Sequence, residues 1–154
     1  MMTFIAAKHA CLAIFLVAAS TVAEPPHQPP EGLPMMAREV TALAGSHPQR
    51  VRDALRAGLR ACLPEDARAR LSSEAVQKLL VDLHLVYFEL ASRGLPEPER
   101  RRQVDSAVET SKGGLSDEER QALQVLRLES LEQGVSLSCI AATAIGMLET
   151  RSRP

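Results

Sequence analysis

His84 has the clearest chemical potential in this sequence, because it lies within an otherwise apolar arc of a predicted helix over residues 72–93. Gln77 falls along the same edge of that helix. An imidazole there could act as a general base or, together with the Gln77 amide, hold the polar head group of a ligand. The competing interpretation is a structural histidine whose ring packs among leucines and bonds Gln77 or a backbone carbonyl. Gln77 and His84 are therefore the candidate ligand-binding residues.

Patterns for nucleophilic, phosphate and metal chemistry are missing from the sequence. It contains no Gly-x-Ser-x-Gly motif, and Gly113 and Gly114 form too short a run to cradle a phosphate. The histidines stand at no metal-ligand spacing. One Tyr and no Trp leave little material for a sugar-binding cleft. We expect a protein that is not an enzyme and that carries no metal and no cofactor.

The first 23 residues have the pattern of a secretory signal peptide. Lys8 and His9 close a weakly basic start, residues 10–19 form an apolar core, and small residues precede a cleavage point before Glu24. The apolar run is shorter than the roughly 20 residues that a membrane-spanning helix needs. The sequence therefore predicts a secreted or periplasmic protein with no stable membrane insertion after cleavage.

Removal of this leader takes away Cys11 and leaves Cys62 and Cys139. In an oxidising compartment two remaining cysteines predict one intramolecular disulfide between core-facing helices, and two buried thiols are the alternative. Closing a loop of about 77 residues contributes roughly 4 kcal/mol in the chain-entropy model. No Cys-x-x-Cys motif or nearby histidine favours redox catalysis or zinc binding instead.

The mature chain is organised as an extended tail followed by one helical domain. Five prolines in residues 24–34 predict a polyproline-like linker, and residues 35–154 form the predicted domain. Periodicity, with capping boxes at Ser46 and Ser116 and a short break at Gly134, predicts six helices. Their expected spans are residues 35–44, 46–63, 72–93, 99–112, 116–133 and 136–149. The predicted fold is an all-α, compact single-domain bundle of five or six helices with one disulfide.

The helix over residues 72–93 should lie at the centre of the bundle. Four of its charged residues fall within one arc of about 60°, namely Lys78, Asp82, Glu89 and Arg93. The rest of its surface is mostly apolar, which is typical of a helix with neighbours on several sides. The last helix is apolar all round and rich in small residues, so it is expected to pack closely on this central helix.

Arg52, Arg56 and Arg60 form a charged stripe along the second predicted helix. Such a stripe is commonly a solvated face, and the sharper hypothesis is a docking site for an acidic partner. These three arginines are the candidate partner-binding residues. The net charge of −1 gives no reason to expect a nucleic-acid partner.

These observations favour an exported, non-enzymatic helical protein that binds another exported or envelope protein. An envelope accessory factor, a secretion chaperone and an inhibitor all fit this description. The alternative function is a carrier of a small apolar ligand, held in a cavity between helices with Gln77 and His84 at its head group.

Overall fold

The computed structural model describes residues 32–151, and in this range the chain is helical, without strands. The prediction of an all-α bundle is confirmed, with six longer helices and one single-turn helix. The helices are α1 (Leu33–Ser46), α2 (Pro48–Cys62), α3 (Glu65–Arg68), α4 (Glu74–Ser92), α5 (Glu97–Ser111), α6 (Asp117–Arg127) and α7 (Gly134–Thr150). The predicted signal peptide, residues 1–23, and most of the predicted linker lie outside the described residues.

The start of α1 overlaps the predicted linker. Leu33 and Pro34, its last two residues, are already helical, and the Leu33 side chain is buried in the core. Proline is compatible with a first helical turn because its missing N–H would have no partner there. Hydrophobic burial therefore extends the helix further towards the N-terminus than proline content alone indicates.

Only one of the two predicted capping boxes exists. At Ser116 the hydroxyl accepts from the Glu119 backbone N–H at 3.2 Å, and the Glu119 carboxylate accepts from the Ser116 N–H at 2.8 Å. Ser46 is instead the last residue of α1, and its hydroxyl donates to the carbonyls of Ala42 and Leu43. The prediction of a capping box at Ser46 is wrong because α1 continues for two residues beyond its predicted end.

Helix α4 is the centre of the bundle, as predicted. It packs against α1, α5, α6 and, less extensively, α2. Its buried side chains include Val76, Leu80, Leu83 and Phe88. The helix ends at Ser92 and is terminated by Gly94, whose φ of 76° lies in the left-handed region that favours glycine. The Leu95 N–H then bonds the Leu90 carbonyl at 3.2 Å.

Helix α7 packs mainly on α2 and then on α1, so its predicted packing on the central helix is wrong. Gly58 of α2 explains the contact. A Cβ atom at this position would lie 2.9 Å from the Ile140 carbonyl oxygen and 3.4 Å from its Cα. The absence of a side chain lets the α2 backbone approach α7 more closely than another residue would allow.

The predicted break at Gly134 is confirmed as a sharp corner. Residues Leu128–Glu132 continue α6 as a π-helical turn, Gln133 is extended, and the direction changes by 83° into α7. Within residues 32–151 no single helix has the length and hydropathy to cross a bilayer. The two segments on either side of this corner reach that length and composition only when they are taken together as a bent pair.

Candidate functional site

The predicted disulfide joins Cys62, the last residue of α2, to Cys139 on α7, with 5.9 Å between their Cα atoms. Cys62 is half-buried and Cys139 is exposed, so the bond lies at the rim of the α2–α7 contact. The prediction that it faces the core is therefore wrong. The Cys62 sulfur also lies 3.5 Å from the Thr143 hydroxyl. The bond therefore fastens the outer edge of the helix pair that Gly58 holds together.

The three arginines of the predicted stripe lie along the boundary between α2 and α4. Arg52 pairs with Asp82, and Arg56 pairs with Glu74 at 2.9 Å. Arg60 donates to the side-chain carbonyl of Gln77 at 3.2 Å. We call this set of three contacts the arginine seam. It connects two helices of the bundle, and because its ion pairs are partly exposed each contributes little to stability.

The Arg60 end of the seam differs from the rest because its charge has no carboxylate partner. Gln77 is neutral, and Arg60 forms no ion pair with any of residues 32–151. Arg68 of α3 donates to the Arg60 backbone carbonyl at 3.4 Å and likewise forms no ion pair within that range. Both side chains are exposed. We call Arg60 and Arg68 the cationic end.

Gln77 has both ends of its amide occupied within the fold. The nitrogen donates to the Leu71 carbonyl, and the oxygen accepts from Arg60. The side chain is almost fully buried. Gln77 therefore fastens α4 to the segment that precedes it and to α2.

His84 is fully buried on α4 and is held as a neutral ring. Its Nδ1 atom donates to the Leu80 carbonyl at 2.8 Å, and its ring centroid lies 6.1 Å from that of Phe88. Burial lowers its pKa from 6.5 to about 4, although the backbones of Leu80 and Ser130 both favour the charged form. Nε2 has no partner with good hydrogen-bond geometry among the described residues.

This environment matches the alternative prediction of a structural histidine at position 84. The ring bonds a backbone carbonyl and packs against Phe88, next to the π turn that contains Ser130. Neither His84 nor Gln77 lines the surface cavities found between α5 and α6, beside Tyr87, and at the starts of α4 and α6. The structure does not bring the two polar groups to a common opening, and their role in ligand binding stays a prediction.

A cavity that sequence reasoning did not anticipate lies between α5 and α6 and measures about 460 Å³. We call it the hairpin cavity, because α5 and α6 run antiparallel around it. One helix face of each lines it, at spacings i, i+3, i+4 and i+7. On α5 these residues are Asp105, Val108 and Glu109, and Lys112 follows directly after the helix. On α6 they are Arg120, Leu123, Gln124 and Arg127.

Polar contacts link the two sides of the hairpin cavity at both of its ends. At one end Asp105 pairs with Arg127 at 2.8 Å across the two helices. At the other end the Arg120 Nε donates to the Lys112 carbonyl at 3.2 Å, next to the turn between the helices. The same i, i+3, i+4 and i+7 spacing of these residues in two consecutive segments is visible in the sequence. What it could not show is that both faces turn towards each other.

Two further cavities flank this region. One of about 20 Å³ lies beyond the Asp105–Arg127 pair, next to Tyr87. The other, of about 530 Å³, lies where α4 and α6 begin, and there the Ser73 hydroxyl donates to the Glu119 carboxylate at 2.6 Å. Hydrogen bonds from Ser73 and the Ser116 backbone lower the pKa of Glu119. The Glu119 carboxylate thus already occupies the position that an anion would take between the two helix starts.

In the described part of the chain no three His, Cys, Asp or Glu side chains are grouped to hold a metal ion. Comparison with protein-family models, with curated proteins and with solved structures gives no match to this chain. Function must therefore be argued from the surfaces described above.

Proposed function

We propose that this chain is an exported, non-enzymatic helical protein that binds another exported or envelope protein. The Cys62–Cys139 disulfide supports this location because such bonds persist in oxidising compartments. The predicted signal peptide at residues 1–23 supports it independently.

The observation that carries the binding proposal is the unmatched charge of the cationic end. Arg52 and Arg56 each have a carboxylate partner on α4, so little of their charge is left for another protein. Arg60 and Arg68 are exposed and form no ion pair within residues 32–151. Of the predicted partner-binding stripe, Arg60 is therefore the residue with free charge, and α3 adds Arg68 beside it.

The partner surface that fits is an acidic segment. A guanidinium can form two parallel hydrogen bonds with one carboxylate, and two adjacent arginines can therefore bind two carboxylates in this way. Complementary charge of this kind speeds association and excludes basic competitors. An acidic loop or helix end of an envelope protein would supply the missing carboxylates.

The test is cross-linking of the tagged mature protein in its native envelope, followed by affinity purification and mass spectrometry. The variant Arg60→Glu/Arg68→Glu reverses the charge of the cationic end. The matched control Arg93→Glu/Arg102→Glu changes net charge by the same amount at two exposed arginines elsewhere, which pair with Glu89 and Glu99.

We expect one stoichiometric partner with the wild-type protein and the control, and about a tenfold lower yield with the cationic-end variant. A yield that is equal in the two variants would contradict the proposed surface. Recovery of the wild-type protein without any stoichiometric partner would contradict the proposed function itself.

A further inference from the structure

We propose that the hairpin cavity binds a small amphiphilic monocarboxylate, with its carboxylate at Arg120 and its apolar body over Val108 and Leu123. The site lies on α5 and α6, away from the arginine seam on α2 and α4. It goes beyond the proposed binding of a protein partner, and each of the two proposals stands without the other.

The size of the cavity selects a small molecule. Its volume of about 460 Å³ lies within the range of roughly 300–1,000 Å³ that is typical of small-molecule sites. Between the polar contacts at its two ends it extends for a rise of seven helical residues, or about 10 Å at 1.5 Å per residue. A partner helix or extended strand could not run along the groove, because the Asp105–Arg127 pair crosses it.

The charges of the lining select an anion. Asp105 is paired with Arg127, and Glu109 is paired with Lys112 at 2.8 Å, so two carboxylates and two cations of the lining compensate each other. The remaining charged side chain of the lining is Arg120. The lining taken alone therefore has a surplus of one positive charge, at Arg120, whose own carboxylate partner Asp117 lies outside the lining.

Arg120 is already oriented within the fold. Its Nε donates to the Lys112 carbonyl at 3.2 Å, and its Nη1 donates to the Asp117 carboxylate at 2.9 Å. The Asp117 side chain is 93% exposed and lies outside the lining, so water weakens this pair and a ligand carboxylate can compete with it. Gln124, one helical turn further on, presents an exposed amide that adds a neutral donor.

The apolar part of the lining requires an apolar portion in the ligand. Leu123 is buried in the core and Val108 is half-buried, so their side chains form a hydrophobic patch between the charged walls. A purely ionic ligand such as phosphate would leave this patch in contact with water. A medium-length carboxylic acid covers the patch and places its head group at Arg120.

The experiment is a titration of the full mature, oxidised protein with octanoate, followed by calorimetry and by NMR shifts of Val108 and Leu123. Octanol and acetate serve as probes that lack the carboxylate or the long apolar chain. Arg120→Gln removes the proposed anchor, and Gln124→Trp blocks the cavity with a bulky ring. Arg102→Gln, on α5 but outside the lining, is the matched control, and thermal unfolding verifies that each variant is folded.

We expect saturable octanoate binding that shifts the Val108 and Leu123 signals. Binding should weaken roughly tenfold in Arg120→Gln, as for loss of a charge-assisted hydrogen bond, and be lost in Gln124→Trp. The Arg102→Gln control should bind like the wild type. Three results would each overturn the proposal: no saturable binding of octanoate, equal affinity for octanol or acetate, or full affinity in Arg120→Gln.

Discussion

At the scale of single residues, the clearest feature is a histidine that the fold keeps uncharged. His84 is buried against Phe88, and the loss of hydration outweighs the two backbone contacts that favour its protonation. The unfolded chain has no such burial, so its histidine titrates near the ordinary value. The difference between the two states makes the stability of the protein depend on pH.

The expected result is a fold that weakens as the pH falls from 6.5 towards 4. Because the pKa of His84 is about 4 in the folded state and 6.5 in the unfolded state, the unfolded state takes up the proton first. The stability is therefore complete above pH 6.5, and about 2 kcal/mol should be lost between pH 7 and pH 5. Urea unfolding at these two pH values measures the change.

His84→Asn is the control for this prediction, because it removes the titrating ring and keeps a side-chain donor. The variant should be less stable at neutral pH and nearly insensitive to pH in the same window. Glu119, whose pKa is lowered from 4.5, affects stability only at lower pH. Equal wild-type stability at pH 7 and pH 5 would contradict the account of a buried neutral histidine.

At this scale the sequence predicted features that depend on one segment or on residue counts, and it did not predict contacts between distant segments. The position of His84 within an apolar arc and the pairing of Cys62 with Cys139 followed from periodicity and from cysteine number. The partners of the arginine seam did not, because Arg52 and Asp82 are 30 residues apart and meet only through the packing of α2 on α4. A stripe on one helix face does not show which helix covers it.

At the scale of elements, one glycine permits a close backbone approach between α2 and α7. The backbones approach so closely at Gly58 that a Cβ atom would meet the Ile140 carbonyl oxygen at 2.9 Å. The disulfide at the rim adds a covalent link between these extensively packed helices. Gly58 sets the separation of the helices, and the cysteines fasten them at that separation.

Gly58→Ala should destabilise the protein by about 1–3 kcal/mol, because the added methyl group meets backbone that cannot move independently of α7. Gly146→Ala is the matched control on α7, where a Cβ atom meets nothing within 4 Å. There the better helix propensity of alanine should stabilise the fold by about 0.5–1 kcal/mol. Chemical denaturation of both variants measures the difference, and a stabilised Gly58→Ala would refute the close approach.

Element positions were predictable to within a few residues, and element partners were not. The Ser116 box and the break at Gly134 depend on adjacent residues and were found. The Ser46 box failed because burial of α1 against α4 and α7 carried that helix beyond its local signals. The place of α7 was missed for a related reason, since its apolar surface fits any apolar neighbour and only Gly58 favours α2.

At the scale of the whole molecule, one covalent bond closes a loop that contains α3 to α6. The disulfide spans 77 residues of sequence and contributes roughly 4 kcal/mol by restricting the unfolded chain. That contribution is a substantial fraction of the stability of an ordinary domain, which is about 5–15 kcal/mol. A protein built in this way depends on oxidising conditions, as the predicted signal peptide implies.

The fold class was predictable because low aromatic content, strong 3.6-residue periodicity and the lack of strand patterns all favour helices. The hairpin cavity was not, because it exists only through the antiparallel register of α5 and α6. Its two lining faces, each regular in sequence, resemble ordinary solvated helix faces until the fold brings them opposite each other.

Export and disulfide formation are the claims on which the proposed function depends, and one measurement tests both. Intact cells are quenched with acid, the endogenous protein is then denatured and alkylated at neutral pH, and its intact mass is determined. We predict a mature chain that begins at Glu24 and gains no alkyl group until it is reduced. A chain that begins at Met1 and is alkylated at its cysteines without reduction would contradict the account.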